Sequence, residues 1–130
     1  IPIRVLEIGE VNAAFEWVST TVKKTLTKDF TSQEADIEKL QKLMEEGKIQ
    51  ANQRTAWESI GLAFGTILEN EMEGMTWVSV IDGSREYAAL QFGDLLFDPA
   101  SLIWNKVKSK QSIDLKAEFA RIKEEVEASL

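Results

Sequence analysis

The stretch that decides the fold runs from Ile60 to Leu68, reads IGLAFGTIL and contains no charged residue. A helix with this sequence is apolar on almost every face, so we expect it to lie buried at the centre of the molecule. Gly61 and Gly65 are four residues apart and therefore stack on one face of that helix. Each glycine costs a helix about 1 kcal/mol relative to alanine, so we predict close packing of a neighbouring element against this face. The whole central helix is predicted over residues 52–73.

Before this helix, apolar residues recur every three or four positions, which predicts two amphipathic helices over residues 10–46. The stripe of the first helix consists of Val11, Phe15, Val18, Val22 and Leu26. Thr31 and Ser32 are candidate N-caps for the second helix, and Gly47 suits the left-handed position that ends it. Ahead of both helices, residues 1–8 show apolar alternation at Ile1, Ile3 and Val5, which predicts a short extended arm or edge strand.

After Gly74, the sequence changes to β-branched and aromatic residues, which predict a β-meander over residues 75–97. Asp82 and Gly83 supply a tight turn between the first two strands. Asp98 followed by Pro99 is a helix start, with aspartate as N-cap and proline at the first helical position. The C-terminal helices are predicted over residues 99–129. We therefore expect one α+β domain over residues 1–130, with four to five helices packed on a small antiparallel meander of two to three strands.

Between Trp57 and about Val126, the pattern resembles an uncharacterised bacterial family, domain of unknown function 3806. The resemblance is carried by the run Ile60-Gly61-Leu62-Ala63-Phe64-Gly65, the Trp77 strand, the Asp82-Gly83 turn, the Phe97-Asp98-Pro99 helix start and the terminal amphipathic helix. These residues mark a fold and are not catalytic. The resemblance implies a small α+β domain with no assigned activity or cofactor, so it supplies no functional residues.

The composition excludes most catalytic chemistry at neutral pH, because the 130 residues contain no histidine and no cysteine. Histidine-based triads, cysteine nucleophiles, thiolate or imidazole zinc sites, haem ligation and disulfides all need residues that are absent. Carboxylate, hydroxyl, amine and guanidinium groups remain. We expect no cofactor and lean against an enzyme.

The net charge of −7 argues against nucleic acid and anionic membrane surfaces as partners, because both are negatively charged. No apolar stretch approaches the roughly 20 residues of a membrane-spanning helix, so we expect a water-soluble domain. The chain opens on Ile1 and not on methionine, which suggests that a segment was removed upstream. A cysteine-free sequence fits the cytoplasm and also fits a disulfide-free periplasmic or secreted protein, so the compartment stays open, with a leaning towards the cytoplasm.

The leading functional hypothesis is a non-enzymatic protein-interaction module, because the chain contains four tryptophans. Tryptophan dominates binding surfaces when its ring is exposed beside polar groups. Trp57 and Trp77 have apolar neighbours at core spacing, so we expect both to be packed. Trp17 and Trp104 are the candidate binding residues. The expected partner is another protein with a basic surface or a second copy of this chain.

The alternative hypothesis is a carboxylate-dependent hydrolase or a divalent-metal protein. Its candidate residues are Glu73, Asp82, Asp94 and Asp98, which follow the central helix or lie in the turns of the meander. Ca²⁺ and Mg²⁺ prefer carboxylate oxygens, so convergence of these side chains would create a cation site. Against this, a strand of six or seven residues separates the end of the central helix from Asp82 by about 20 Å.

Overall fold

The computed structural model describes all residues from Ile1 to Leu130 and has five α-helices and three strands. The helices are α1 (Val5–Leu26), α2 (Ile37–Glu46), α3 (Arg54–Glu71), α4 (Pro99–Lys108) and α5 (Leu115–Ala128), with a short 3₁₀ turn at Glu34–Asp36 before α2. The strands are β1 (Thr76–Asp82), β2 (Arg85–Phe92) and β3 (Leu95–Phe97). The α+β class predicted from the sequence is confirmed.

The three strands form one antiparallel sheet in the order β1-β2-β3, as the meander prediction requires. Asp82 pairs with Arg85 across the first turn, where Gly83 has a φ of 64°. Leu90 pairs with Trp77 on one side and with Phe97 on the other. Gly83 therefore occupies the left-handed conformation that glycine adopts at low cost.

In the central helix α3, Trp57 and most residues of the charge-free run Ile60–Leu68 are buried. One apolar cluster joins it to buried residues of the other four helices and of β2. A β-carbon on Gly61 would collide with the carbonyl oxygen of Pro99 and lie 2.7 Å from Cα of Ala100. On Gly65 it would lie 2.6 Å from Cη2 of Trp77. The glycine face receives the start of α4 and the Trp77 ring, so the predicted close packing is confirmed.

The N-terminal segment differs from the prediction, because α1 begins at Val5 and not near Glu10. Only the first residues are extended: Pro2 bridges Val78, and the backbone N–H of Ser79 donates to the carbonyl of Ile1 at 3.2 Å. Five apolar positions at mixed spacing are too few to separate a strand from a helix. Hydrogen bonds from Ser79 and Arg4 to Glu7, in the first turn of α1, favour the helix.

The ends of α2 also differ from the prediction. Asp36, and not Thr31 or Ser32, orders the chain before the helix, because its Oδ2 accepts the backbone N–H of Thr31 at 2.8 Å. At the other end, Gly47 has a φ of −76° and Lys48 takes the left-handed conformation with a φ of 57°. A β-carbon on Gly47 would collide with the carbonyl oxygen of Leu43, so glycine is needed there for space and not for its φ.

Candidate functional site

A groove with a volume of about 900 Å³ lies between α1 and α3. Glu10, Ala13 and Trp17 line it from α1, and Arg54, Glu58 and Ser59 line it from α3. Asn52 and Gln53 border it from the loop before α3. Helical periodicity explains the α1 side, because residues three, four and seven positions apart share one face. The alanines on this face have short side chains, which leave the space between the two helices open.

The groove carries a carboxylate without a cationic partner. Glu10 is exposed at the groove, where partial desolvation raises the pKa of its carboxyl and the nearby carboxylates of Glu7 and Glu58 raise it further. Glu58 pairs with Arg54 at 3.4 Å, whereas Glu10 forms no ion pair. Negative charge at Glu10 is therefore less favourable than on a fully solvated glutamate, and a bound cation would compensate it.

Trp17 and Trp104, the binding candidates from the sequence, are both related to Arg54: Trp17 lines the same groove, and Trp104 contacts the Arg54 guanidinium. Trp17 is 37% exposed and lines the groove together with Arg54. The guanidinium carbon of Arg54 lies 5.4 Å from the centroid of the half-buried Trp104 ring, which is cation–π distance. Trp17 is thus available to a partner, and Trp104 supports Arg54 at the border of the groove.

Trp57 and Trp77 are packed, as expected. Trp57 is buried, and its Nε1 donates to the carbonyl of Gln50 at 2.9 Å. Trp77 is half-buried against Gly65. Neither ring contributes to the α1–α3 groove.

The four carboxylates of the metal hypothesis are not brought together. Asp82 is the last residue of β1, whereas Glu73 precedes β1 and Asp94 follows β2 at the opposite end of the sheet. The seven residues of β1 separate these ends by about 20 Å. Asp98 caps α4 by accepting the backbone N–H of Ser101 at 3.2 Å, and it pairs with Arg85 at 3.1 Å. No group of three or more acidic side chains is arranged to hold a metal ion.

The sequence prediction missed an ion pair between the half-exposed Arg4 and a buried glutamate at the start of α1. Glu7 is fully buried, and its Oε1 accepts from Oγ of Ser79 at 2.6 Å and from Nε of Arg4 at 3.2 Å. Arg4 also pairs with Glu86 on β2. The Ser79 hydrogen bond lowers the pKa of Glu7, burial opposes this effect, and the Arg4 hydrogen bond and charge lower the pKa further. The second carboxylate oxygen, Oε2, has no hydrogen-bond partner.

A signal for this buried glutamate was present in the sequence. Glu7 lies four residues before Val11 on the face that α1 buries, which continues through Ala14, Val18 and Val22. An acidic residue at a core position needs a hydrogen-bonding partner. The partner, Ser79, is 72 residues away, so spacing alone could not identify it.

Comparisons with known proteins agree with the fold. A crystal structure from Bacteroides thetaiotaomicron VPI-5482 is similar, with a TM-score of 0.89 and 40% identity. The similarity covers 92% of this chain and 45% of that one, so this chain spans under half the length of that relative. A search of curated proteins found no match.

A family model matches residues 36–119, which include α3 but not α1. One wall of the groove therefore lies outside the matched range. The match covers more than half of the chain and confirms the resemblance seen between Trp57 and Val126. The chain belongs to the family described as Domain of unknown function (DUF3806).

Proposed function

We propose that this domain is a non-enzymatic protein-interaction module that binds a basic segment of another protein in the α1–α3 groove. The observation that carries the proposal is the combination of Glu10, which has no cationic partner, with the exposed ring of Trp17 in the same groove. A lysine or arginine side chain would neutralise Glu10 and could also lie against the indole ring.

The charges around the groove support a cationic partner and not an anionic one. Glu10 and Glu58 provide two carboxylates, and Arg54 provides the single guanidinium, which Glu58 already pairs. The net charge of −7 attracts basic proteins over longer distances and opposes association of two copies of this chain. A heterologous basic partner is therefore favoured over self-association.

The test is calorimetric titration of the domain with a synthetic peptide made of lysine, leucine and alanine. We expect Trp17→Ala to weaken binding by about tenfold or more, because a central tryptophan at an interface contributes about 2 kcal/mol. Glu10→Gln should weaken binding by about two- to fivefold, since exposed ion pairs contribute up to about 1 kcal/mol. Raising NaCl from about 0.05 M to about 0.5 M should weaken binding further.

Glu124→Gln on α5 is the matched control, because it removes the same charge from an exposed residue outside the groove that forms no ion pair. The Glu124→Gln protein should bind the peptide with the same affinity as the unsubstituted protein. Equal weakening by Glu124→Gln and Glu10→Gln would show that only net charge matters. Unchanged binding by Trp17→Ala, or no binding by the unsubstituted protein, would refute the assignment of the groove.

A further inference from the structure

The face of α1 that borders the groove continues towards the N-terminus of the helix as far as Leu6. On a helix, Leu6, Glu10, Ala13 and Trp17 lie within about 60° of one another, so they form one line along the helix surface. Leu6 is 62% exposed, although it is a large aliphatic residue. This line has an apolar residue at each end, about 16 Å apart, and the unpaired carboxylate of Glu10 between them.

We infer that the partner segment is an amphipathic α-helix that lies along this line with apolar side chains against Leu6 and Trp17 and a lysine or arginine against Glu10. The inference rests on the proposed function and adds the conformation of the partner and the order of its side chains. Two apolar residues eleven positions apart on the partner would match the distance between Leu6 and Trp17, with the basic residue four or seven positions from one of them.

The size of the groove favours a helix over an extended segment. An extended chain covers 16 Å with about five residues and directs only two or three side chains to one face. A helix covers the same distance with about eleven residues and presents about four side chains on one stripe. The groove alone offers about 900 Å³, and Leu6 lies beyond the residues that line it. A helical stripe fills this space better.

The walls of the groove are also suited to a third helix. Both walls are helical, and Ala13 on α1 and Ala56 and Ser59 on α3 are small residues that line it. Small residues allow the axis of a docking helix to approach both walls closely, and side-chain ridges then pack into the groove between them. Charge complementarity at Glu10 fixes the register of the partner, because a shift by one turn would remove the cation from the carboxylate.

The inference is tested with three peptides of one length, built from leucine, lysine and alanine, the third with a single alanine replaced by proline. The first has leucines eleven positions apart and a lysine between them on the same helical face. The second has the same residues in scrambled order, and the third has a central proline on the opposite face, which prevents a continuous helix. We expect the first peptide to bind at least fivefold more tightly than the other two and to gain helical circular dichroism when bound.

Two variants of α1 locate the contact. Leu6→Ser should weaken binding of the first peptide by at least threefold. Val5→Ser is the matched control, because Val5 is 86% exposed and points away from the line. Binding should be unchanged in that variant, and both proteins should fold, since neither side chain is buried.

The outcomes separate this inference from the proposed function. If all three peptides bind equally and all depend on Trp17, the helical partner is refuted and the basic groove stands. Equal binding by Leu6→Ser and the unsubstituted protein also refutes the inferred contact. If no peptide binds, or binding is independent of Trp17, the proposed function itself is refuted.

Discussion

Replacing Gly61 with alanine should destabilise the protein, although alanine is the better helix former. The new β-carbon would collide with the carbonyl oxygen of Pro99 and lie 2.7 Å from Cα of Ala100. Both contacts are with backbone, so no side-chain rotation can relieve them. The start of α4 would have to move away from α3, and these two helices share a large contact surface through the core.

The magnitude follows from two opposing terms. Alanine improves helix propensity by about 1 kcal/mol. Overpacking a tight site costs about 1–3 kcal/mol, and we take the upper end because the obstructing atoms are backbone. The net loss in the free energy of unfolding is therefore about 2 kcal/mol. For a chain of this length, that corresponds to a decrease in Tm of about 8 °C.

Gly9→Ala is the matched control, because Gly9 lies within α1 and no atom would approach its β-carbon within 4 Å. There the propensity gain stands alone, and stability should increase by up to about 1 kcal/mol. Urea unfolding followed by tryptophan fluorescence and circular dichroism measures both variants. A Gly61→Ala protein as stable as the unsubstituted one would refute the argument that α4 packs on the glycine face.

Three further predictions concern charged groups. The folded state lowers the pKa of Glu7, so the carboxylate stabilises the protein above the ordinary glutamate pKa, and this stabilisation is lost as pH falls through the folded pKa. Glu7→Gln should therefore reduce stability at pH 7 and flatten the decrease in Tm at acid pH; an unchanged dependence of Tm on pH would contradict this. The folded state raises the pKa of Glu10, so Glu10→Gln should increase Tm at pH 7, and the increase should disappear as pH falls through the raised pKa. A decrease in Tm of Glu10→Gln at pH 7 would contradict this. Millimolar Ca²⁺ or Mg²⁺ should give no saturable increase in Tm, since the candidate carboxylates are apart; an increase that disappears in Asp94→Asn would overturn that conclusion.

Local sequence patterns were sufficient for most helices and strands. The charge-free run around Gly61 predicted a buried helix over residues 52–73, and α3 spans Arg54–Glu71. Asp98 and Pro99 predicted the start of α4, where the Asp98 side chain does cap the helix. These signals are local: capping, fixed proline φ and apolar periodicity act within one or two turns.

The start of α1 was predicted incorrectly because its cause is not local. The helix begins at Val5 beside contacts from Glu7 to Ser79 and from Arg4 to Glu86, and both partners lie on strands more than 70 residues away. Alternating aliphatic residues fit a strand equally well in isolation. Only the docking of α1 on the sheet distinguishes the two.

In the candidate site, too, the sequence identified single residues, and only the tertiary structure showed which of them lie together. The sequence identified Trp17 and Trp104 by residue type, but it gave no reason to connect them with each other, with Arg54 or with Glu10. That connection depends on α3 lying beside α1 and α4. The metal hypothesis failed to gain support for the same reason: the four carboxylates are close in sequence, but β1 separates Asp82 from Glu73 and Asp94, and Asp98 caps α4.

By itself, the sequence determined which side-chain chemistries these 130 residues do not supply and which helices and strands they form. The absence of histidine and cysteine and the net charge of −7 are properties of composition, and helix and strand periods are properties of short segments. The tertiary structure decided which side chains share a surface, where Glu7 is buried and why Glu10 has no cation. Those features arise from packing between residues far apart in the chain, and burial sets both the cost of a charge and the exposure of a ring.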